Sequence, residues 1–564
     1  MGKNKKSRWL CLLAVGAMFL WGCSDEQPVR TERENSQRSM SYEDATAEIS
    51  SLLKKVETYT VQKPVLDIYS DDVSEAEALA DIDTFPITVS GDGAIDIEIA
   101  AATELSSDAP DDWINMVARD FNKSGQTVNG KKVTVSVRKM ASGEVVTYIN
   151  AGVYHPHVFI PSNDAWGKML KSSGVGVSQI EERIAGNTGG ILIKKDIYDK
   201  FVEKYKDPTV ANVLEATLAG DLTFAYTNPY TSSTGLNILT AMLKAFDDSN
   251  PLSDKAQEKL LEYQKDSPPV AYTTGVLRNQ ASKGIINAMV MEEQAYINTP
   301  ELVNYEYIPA GIRHDHPVYT FDYCTEEEQE AAALFAAYCL TEENQKMATE
   351  KGFNRHDDYV SQDPGLDGTG YLTAQKVWKK NKSGGKPIIA VFVADISGSM
   401  GGAPLNSLKA SLISASSYIG SDHYVGLVSY ASDVTINLPI AQFDATQKAY
   451  FSGEVKNLSD GGGTATYDAV LVALDMLAEK AKEVPDAKLM LFVLSDGQQN
   501  EGYSLNRITS IVEGMKVPVY TIGYNYNDTN GELNKLSDIN EVAMLNATSD
   551  DIANQLRNLF NVAV

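Results

Sequence analysis

Apolar and polar positions along the chain form two long stretches of one kind, separated by a short basic run. Between residues 93 and 375, apolar runs of strand type fall at 95–101, 132–137, 157–160, 191–193, 222–226 and 288–291. Between them lie segments of helical spacing such as 113–121, 236–245 and 325–338. Strands that alternate with helices imply parallel sheets covered on both faces. From residue 387 the alternation resumes with more strongly apolar strands. Residues 388–394 are apolar without interruption, and 425–428, 489–494 and 517–522 repeat the type. Such runs, bounded by polar residues, predict strands buried on both faces. The run Lys-Lys-Asn-Lys-Ser-Gly-Gly-Lys at 379–386 predicts a linker. Ahead of the first stretch, 24–41 is polar and reads as a tether, 42–58 has helical spacing, and 60–90 is acidic and takes no clear assignment.

The start of the chain changes the picture of where the protein sits. Lys3, Lys5, Lys6 and Arg8 precede an uncharged apolar stretch from Trp9 to Trp21. About 13 residues are too few to span a bilayer comfortably as a helix, so the stretch predicts a secretory signal. It ends in Leu20-Trp21-Gly22-Cys23, which resembles a bacterial lipobox, although Trp21 stands where small residues are commoner. The resemblance implies lipidation at Cys23 and anchoring on the extracytoplasmic face of a bacterial cell membrane. Without those four basic residues the formal charge of −27 becomes −31. So acidic a chain repels phosphate backbones, which argues against nucleic acid as a partner. Cys324 and Cys339 are then the only mature thiols, and a continuous helix over 325–338 would hold them about 20 Å apart, so two buried free thiols are expected.

Candidate chemistry concentrates where strands end. The apolar strand 388–394 runs into Asp395-Ile396-Ser397-Gly398-Ser399, which places one carboxylate and two hydroxyls just past a strand's carboxyl end. Gly461-Gly462-Gly463-Thr464 opens a later helix, and strand 489–494 ends in Ser495-Asp496-Gly497. Together these are hard oxygen donors suited to Mg²⁺, with Mn²⁺ or Ca²⁺ as alternatives. The three-part set resembles the metal-ion-dependent adhesion site of the von Willebrand factor A family, at Asp395, Ser397, Ser399, Thr464 and Asp496. The resemblance covers roughly residues 386–564. It implies a doubly wound, Rossmann-like domain. It also implies that a carboxylate from a protein or glycan partner completes the ion's shell, the ion bridging rather than catalysing.

The first stretch carries softer signals. Its opening strand ends in Thr103-Glu104-Leu105-Ser106-Ser107, and 227–235 places Thr231, Ser232, Ser233 and Thr234 before an apolar helix. Hydroxyls and free N–H groups there could hold an anionic group of a solute, and equally could only cap the helix. With Tyr307-Ile308-Pro309-Ala310-Gly311 and Asp315-His316-Pro317, the segment resembles bacterial extracellular solute-binding proteins of ABC transport. That implies two α/β lobes with a ligand in the cleft. The weak His314-Asp315-His316 metal pattern is better explained by a structural or surface role. Glu292 and Glu293, adjacent at a strand end, point to opposite faces, so paired acid–base catalysis is not supported.

The expected organisation is a signal at 1–22, a lipidated tether with a short helix at 23–92, a bilobal periplasmic-binding-protein-like domain at 93–378, a linker at 379–386 and a von Willebrand A domain at 387–564. No Gly-x-Ser-x-Gly elbow, His-Glu-x-x-His or P-loop is present, which argues against an enzyme. The expectation is a lipoprotein that binds a macromolecule through a metal site. The alternative is a substrate-binding component of an ABC-type importer.

Overall fold

The computed structural model describes residues 40–67, 79–106, 112–266, 270–271, 274–282, 284, 286–497, 499–524, 531–540, 545–547 and 559. The signal at 1–22 and Cys23 lie outside them. No helix among the described residues is long and apolar enough to cross a membrane.

The C-terminal domain is built on a seven-stranded sheet. Its spatial order is Thr58–Thr60, Val434–Gln442, Tyr424–Tyr430, Ile388–Asp395, Lys488–Ser495, Val519–Tyr524 and Leu545–Ala547. The central strand Ile388–Asp395 is buried along its whole length and pairs in parallel with both neighbours. Its side chains divide with the period of two that a strand imposes. Ile388, Ala390, Phe392 and Ala394 join Leu405, Leu408 and Leu412 of one helix and Phe451 and Val455 of another. Ile389, Val391 and Val393 face Val470, Leu474, Ile508 and Val512 on the other side. An uninterrupted apolar run is what such a doubly covered strand requires.

The edge of this sheet corrects one expectation. Residues 42–58 read as part of a tether, yet they belong to the C-terminal domain. Ser41 caps the helix Tyr42–Leu52, whose Ala45, Ile49 and Leu52 enter the same core as Val391 and Val393. Thr58, Tyr59 and Thr60 then pair in parallel with Val434, Thr435 and Ile436. Further on, Glu454 accepts from the Val65 amide at 2.6 Å, and Asp67 accepts from the Ser452 hydroxyl at 2.9 Å. The helix buries its apolar stripe on this core. The bilobal domain is therefore inserted between the first strand of the sheet and the rest.

The bilobal domain carries two sheets. The first orders Ile87–Val89, Lys131–Lys139, Ile95–Ala101, Val158–Ile160, Val318–Phe321 and Val177–Glu181. The second orders Tyr305–Arg313, Thr188–Lys194, Ala288–Glu292 and Phe224–Ala225. The chain crosses between them at 182–187 and again at 314–317. The expected linker begins later than its composition suggests. The helix Gly368–Asn381 runs through Lys379 and Lys380, held by the fully buried Trp378, whose indole donates to the Tyr226 hydroxyl at 3.0 Å. Cys324 and Cys339 are free and buried, with the helix Glu326–Cys339 between them.

Candidate functional site

At the carboxyl end of the central strand, Asp395 is fully buried. Its Oδ1 accepts from the Ser397 amide at 2.8 Å, which folds the following loop back over the carboxylate. Its Oδ2 accepts from Ser495 Oγ at 2.6 Å and from the Tyr430 hydroxyl at 3.3 Å. Ser397 and Ser399 hydroxyls lie 3.1 Å apart, and Ser399 Oγ donates to Asp496 Oδ1 at 2.9 Å. Asp395, Ser397, Ser399 and Asp496 thus form one continuous polar cluster from two adjacent strand ends.

The glycine turn that precedes Thr464 is clamped through its backbone to the loop that carries Ser397 and Ser399. The Gly398 amide donates to the Gly462 carbonyl at 3.2 Å, and the Gly461 amide to the Ile396 carbonyl at 2.9 Å. Gly462 holds φ at 83°, a left-handed conformation that side chains rarely adopt. The turn delivers a buried Thr464, whose amide donates to Asn500 Oδ1 at 2.9 Å. Burial raises the Asp395 carboxyl above its ordinary range despite the hydroxyls that favour its charge. Burial, and then the charge of Asp395, do the same to Asp496. Among the described residues neither carboxylate has a cationic partner. Two carboxylates destabilised by burial, set among hydroxyls, fit a hard divalent cation. Tyr430, Ser495 and Asn500 were not singled out from sequence. Ser495 directly precedes Asp496 at a strand end, and that position was the available signal.

In the bilobal domain a cavity of about 470 Å³ lies between the lobes. Thr103, Glu104, Thr231, Ser232, Ser233 and Thr234 line it, together with Ser142, Ser162, Thr227, Arg278 and Glu292. Ser106 does not. It is buried behind the strand end, 3.0 Å from the Thr88 hydroxyl and donating to Asn115 at 3.2 Å. A polar residue two past the strand end turned inward to satisfy neighbouring polar groups instead. The Ser232 hydroxyl accepts from the Gly235 amide at 3.3 Å and from Thr227 Oγ1 at 2.8 Å. Ser233 Oγ accepts from the buried Trp166 indole at 2.9 Å. The lobes meet closely here. The Gly143 amide donates to the Thr231 carbonyl at 3.3 Å, and a Cβ on Gly143 would lie 2.0 Å from the Tyr230 carbonyl oxygen.

His314 and His316 are fully buried, so the surface reading of this segment does not hold. The sequence His-Asp-His-Pro is the second crossover between lobes, and its histidines turn into the junction. Burial holds the His314 imidazole down at about 4. Burial also opposes ionisation of Glu104, but the hydrogen bond and charge of His316 outweigh it and hold that carboxyl at about 2. Glu292, buried and beside the Glu104 charge, is pushed well above the carboxylate range.

A sheet with oxygen donors at its carboxyl edge, joined to a two-lobed domain with a cleft, defines a two-module binding protein. Residues 103–354 match the family model of bacterial extracellular solute-binding proteins, and residues 390–561 match that of the von Willebrand factor type A domain. The chain combines a solute-binding domain with a von Willebrand A domain, both typically binding modules rather than enzymes. Among characterised proteins, inter-alpha-trypsin inhibitor heavy chain H3 of Bos taurus is 31% identical over 156 residues, 25% of this chain and 17% of that one. The Mus musculus counterpart is 30% identical over 155 residues, with the same coverage of 25% and 17%. The chain thus spans about a sixth of the length of these relatives. Among solved structures, iron-bound HitA from Pseudomonas aeruginosa aligns with a TM-score of 0.38 at 13% identity, covering 52% of this chain and 99% of that one. A von Willebrand factor type A protein from Catenulispora acidiphila gives 0.29 at 18% identity, covering 31% and 42%.

Proposed function

We propose that this chain is a cell-surface lipoprotein, anchored through Cys23, that grips a macromolecular partner through a divalent cation held by Asp395, Ser397, Ser399, Thr464 and Asp496. The observation that carries this reading is the juxtaposition of the buried Asp395 and the half-buried Asp496 among hydroxyl donors, with no cationic partner among the described residues. A bound Mg²⁺ or Mn²⁺ would supply a Lewis-acidic coordination position that a carboxylate on a protein or glycan partner can fill. The chain's own groups do the positioning. Ser495 and Tyr430 fix the Asp395 carboxylate, and the glycine turn fixes Thr464.

The test is an array of immobilised proteins and glycans probed with the full chain. With Mg²⁺ present, binding is expected to a subset of spots and to vanish with chelator and with Asp395→Ala. Binding that persists under both conditions sinks the reading.

A second reading, solute capture for an importer, is favoured by the cavity of about 470 Å³ between the lobes. Its hydroxyl lining suits a small polar or anionic solute. Native mass spectrometry of the purified chain separates the two readings. A retained solute supports import, and loss of that solute on closing the cavity with Ser142→Trp would locate it there.

A further inference from the structure

The junction between the lobes holds a group of ionisable side chains that the von Willebrand A site does not use. Ligating atoms of Glu104, Glu292 and His316 all lie within 4.8 Å of one another. Glu104 follows a strand of the first lobe, Glu292 ends a strand of the second, and His316 sits on the crossover. Each segment is separately pinned. His316 adopts φ of 49°, a left-handed conformation costing a non-glycine residue about 1 kcal/mol or more. Its backbone amide donates to the Ser162 carbonyl at 3.1 Å.

Hydrogen-bond roles fix which atoms remain for a ligand. His316 Nδ1 lies 2.8 Å from the Ala185 carbonyl, which can only accept, so Nδ1 carries a hydrogen. Nε2 faces Glu104 Oε1 at 3.1 Å and donates its hydrogen there when no cation is bound; a cation would displace that hydrogen and bridge the same two atoms. A histidine whose far nitrogen donates to a backbone carbonyl is the arrangement that orients metal-ligating imidazoles. Glu292 is supported in the same manner. Asn237 Oδ1 accepts from the Ile312 amide at 2.8 Å, so its nitrogen is the donor toward His314 Nε2 at 3.3 Å. The His314 Nδ1–H then donates to Glu292 Oε1 at 2.7 Å. Asn187 Oδ1 accepts from the Thr188 amide at 3.0 Å, so its nitrogen donates to Glu292 Oε2 at 3.1 Å. Both Glu292 oxygens are thus oriented by neutral donors, beside the Glu104 carboxyl.

We propose that Glu104, Glu292 and His316 form a three-ligand site for a borderline-soft dication of the zinc class, with its open position toward the interlobe cleft. One imidazole and two carboxylates match that class better than Mg²⁺. Ligand atoms around tetrahedral zinc lie about 3.4 Å apart, as follows from bonds of about 2.1 Å, so side-chain shifts below an ångström close the set. Two ligands come from opposite lobes and the third from the hinge, so the cation favours the closed arrangement of the domain. Glu104 and Glu292 both line the cavity, so a solute entering it meets the cation's free position. The proposal is independent of the von Willebrand A site.

The experiment uses the full chain carrying Asp395→Ala, stripped with chelator and supplied with excess Mg²⁺. Titration with Zn²⁺ by calorimetry is expected to give one site per chain. Glu104→Gln, Glu292→Gln and His316→Gln should each weaken it by at least about 100-fold, the upper end of what loss of a mere outer-shell partner costs. Glu327→Gln, at an exposed salt bridge, should leave it unchanged. Circular dichroism identifies any variant that fails to fold, and the two Glu→Gln changes, nearly isosteric, then carry the test. Co²⁺ in place of Zn²⁺ adds a visible absorption band that the same variants should erase. Absence of a Zn²⁺ site, or a site indifferent to all three substitutions, overturns the proposal.

Discussion

At the end of the strand Ile388–Asp395, four of the five candidate ion ligands come from two neighbouring strand ends of one sheet. At the interlobe junction, Glu104, Glu292 and His316 come from two sheets and the segment between them. The first cluster is made of oxygen alone, and the second brings in nitrogen. The difference teaches what each can respond to. A site on one rigid sheet holds its geometry whatever the domains do. A site shared by two lobes exists only when the lobes are together, so its occupancy and the closure of the domain are one equilibrium.

The largest effect expected is on the single-sheet cluster. Asp395→Ala removes one of two carboxylates and should weaken Mg²⁺ or Mn²⁺ binding by at least about 100-fold, beyond the usual cost of an outer-shell loss. Calorimetric titration of the full chain measures it. Because the loop and the sheet are held by backbone bonds, the unfolding transitions of the ion-free chain should move little. An unchanged ion affinity would break the comparison at its root.

Next in size is a substitution far from either cluster. Ile49 is 1% exposed, packed with the C-terminal core from more than 300 residues away in sequence. Ile49→Ala should cost the von Willebrand A domain about 2–5 kcal/mol and leave the solute-binding domain's transition in place. Denaturant unfolding followed by probes in each domain reads both. A shift below about 0.5 kcal/mol would return this segment to the tether that its composition suggested.

Tyr430→Phe tests how sharply the rigid site is tuned. Its hydroxyl donates to Asp395 Oδ2 at 3.3 Å and accepts from Thr466 Oγ1 at 3.3 Å. Losing it should lower ion affinity about 10-fold, as loss of a supporting hydrogen bond to a ligand does. Calorimetry on the folded variant reads this, and an unchanged affinity would mean that Ser495 and the Ser397 amide suffice to orient the carboxylate.

How much of this was legible in the sequence follows the same division. The central strands were visible because a doubly covered strand must be apolar throughout, and Asp395 and Asp496 because they end such strands. Pairing of Thr58–Thr60 with Val434–Gln442 left no local trace, since an edge strand of three exposed residues has no pattern to display. The linker looked longer than it is because lysines can cover a helix face while Trp378 anchors it. The histidines at 314 and 316 looked ordinary because their meaning depends on Glu104 and Glu292, brought together only by closure of the lobes. Ser106 and Ser232 share one composition and differ only in which way the chain turns after the strand, which spacing does not encode.

The smallest effect decides what the hydroxyl-rich turn does. Ser232 Oγ accepts the Gly235 amide and the Thr227 hydroxyl, and lies 2.9 Å from Thr234 Oγ1. Its hydrogen-bonding capacity is taken up within the turn, which is the arrangement of a cap. Ser232→Ala should therefore destabilise the solute-binding domain by about 1 kcal/mol. That deficit should stay constant as inorganic sulfate is added, because a cap acts on the folded state whatever occupies the cleft. A hydroxyl that also holds an anion behaves differently. Sulfate would then stabilise the wild type more than the variant, and the gap would widen by RT ln(1 + [L]/Kd). Thermal unfolding across a sulfate series distinguishes a flat gap from a widening one. A widening gap would place the anion on the hydroxyls of the turn.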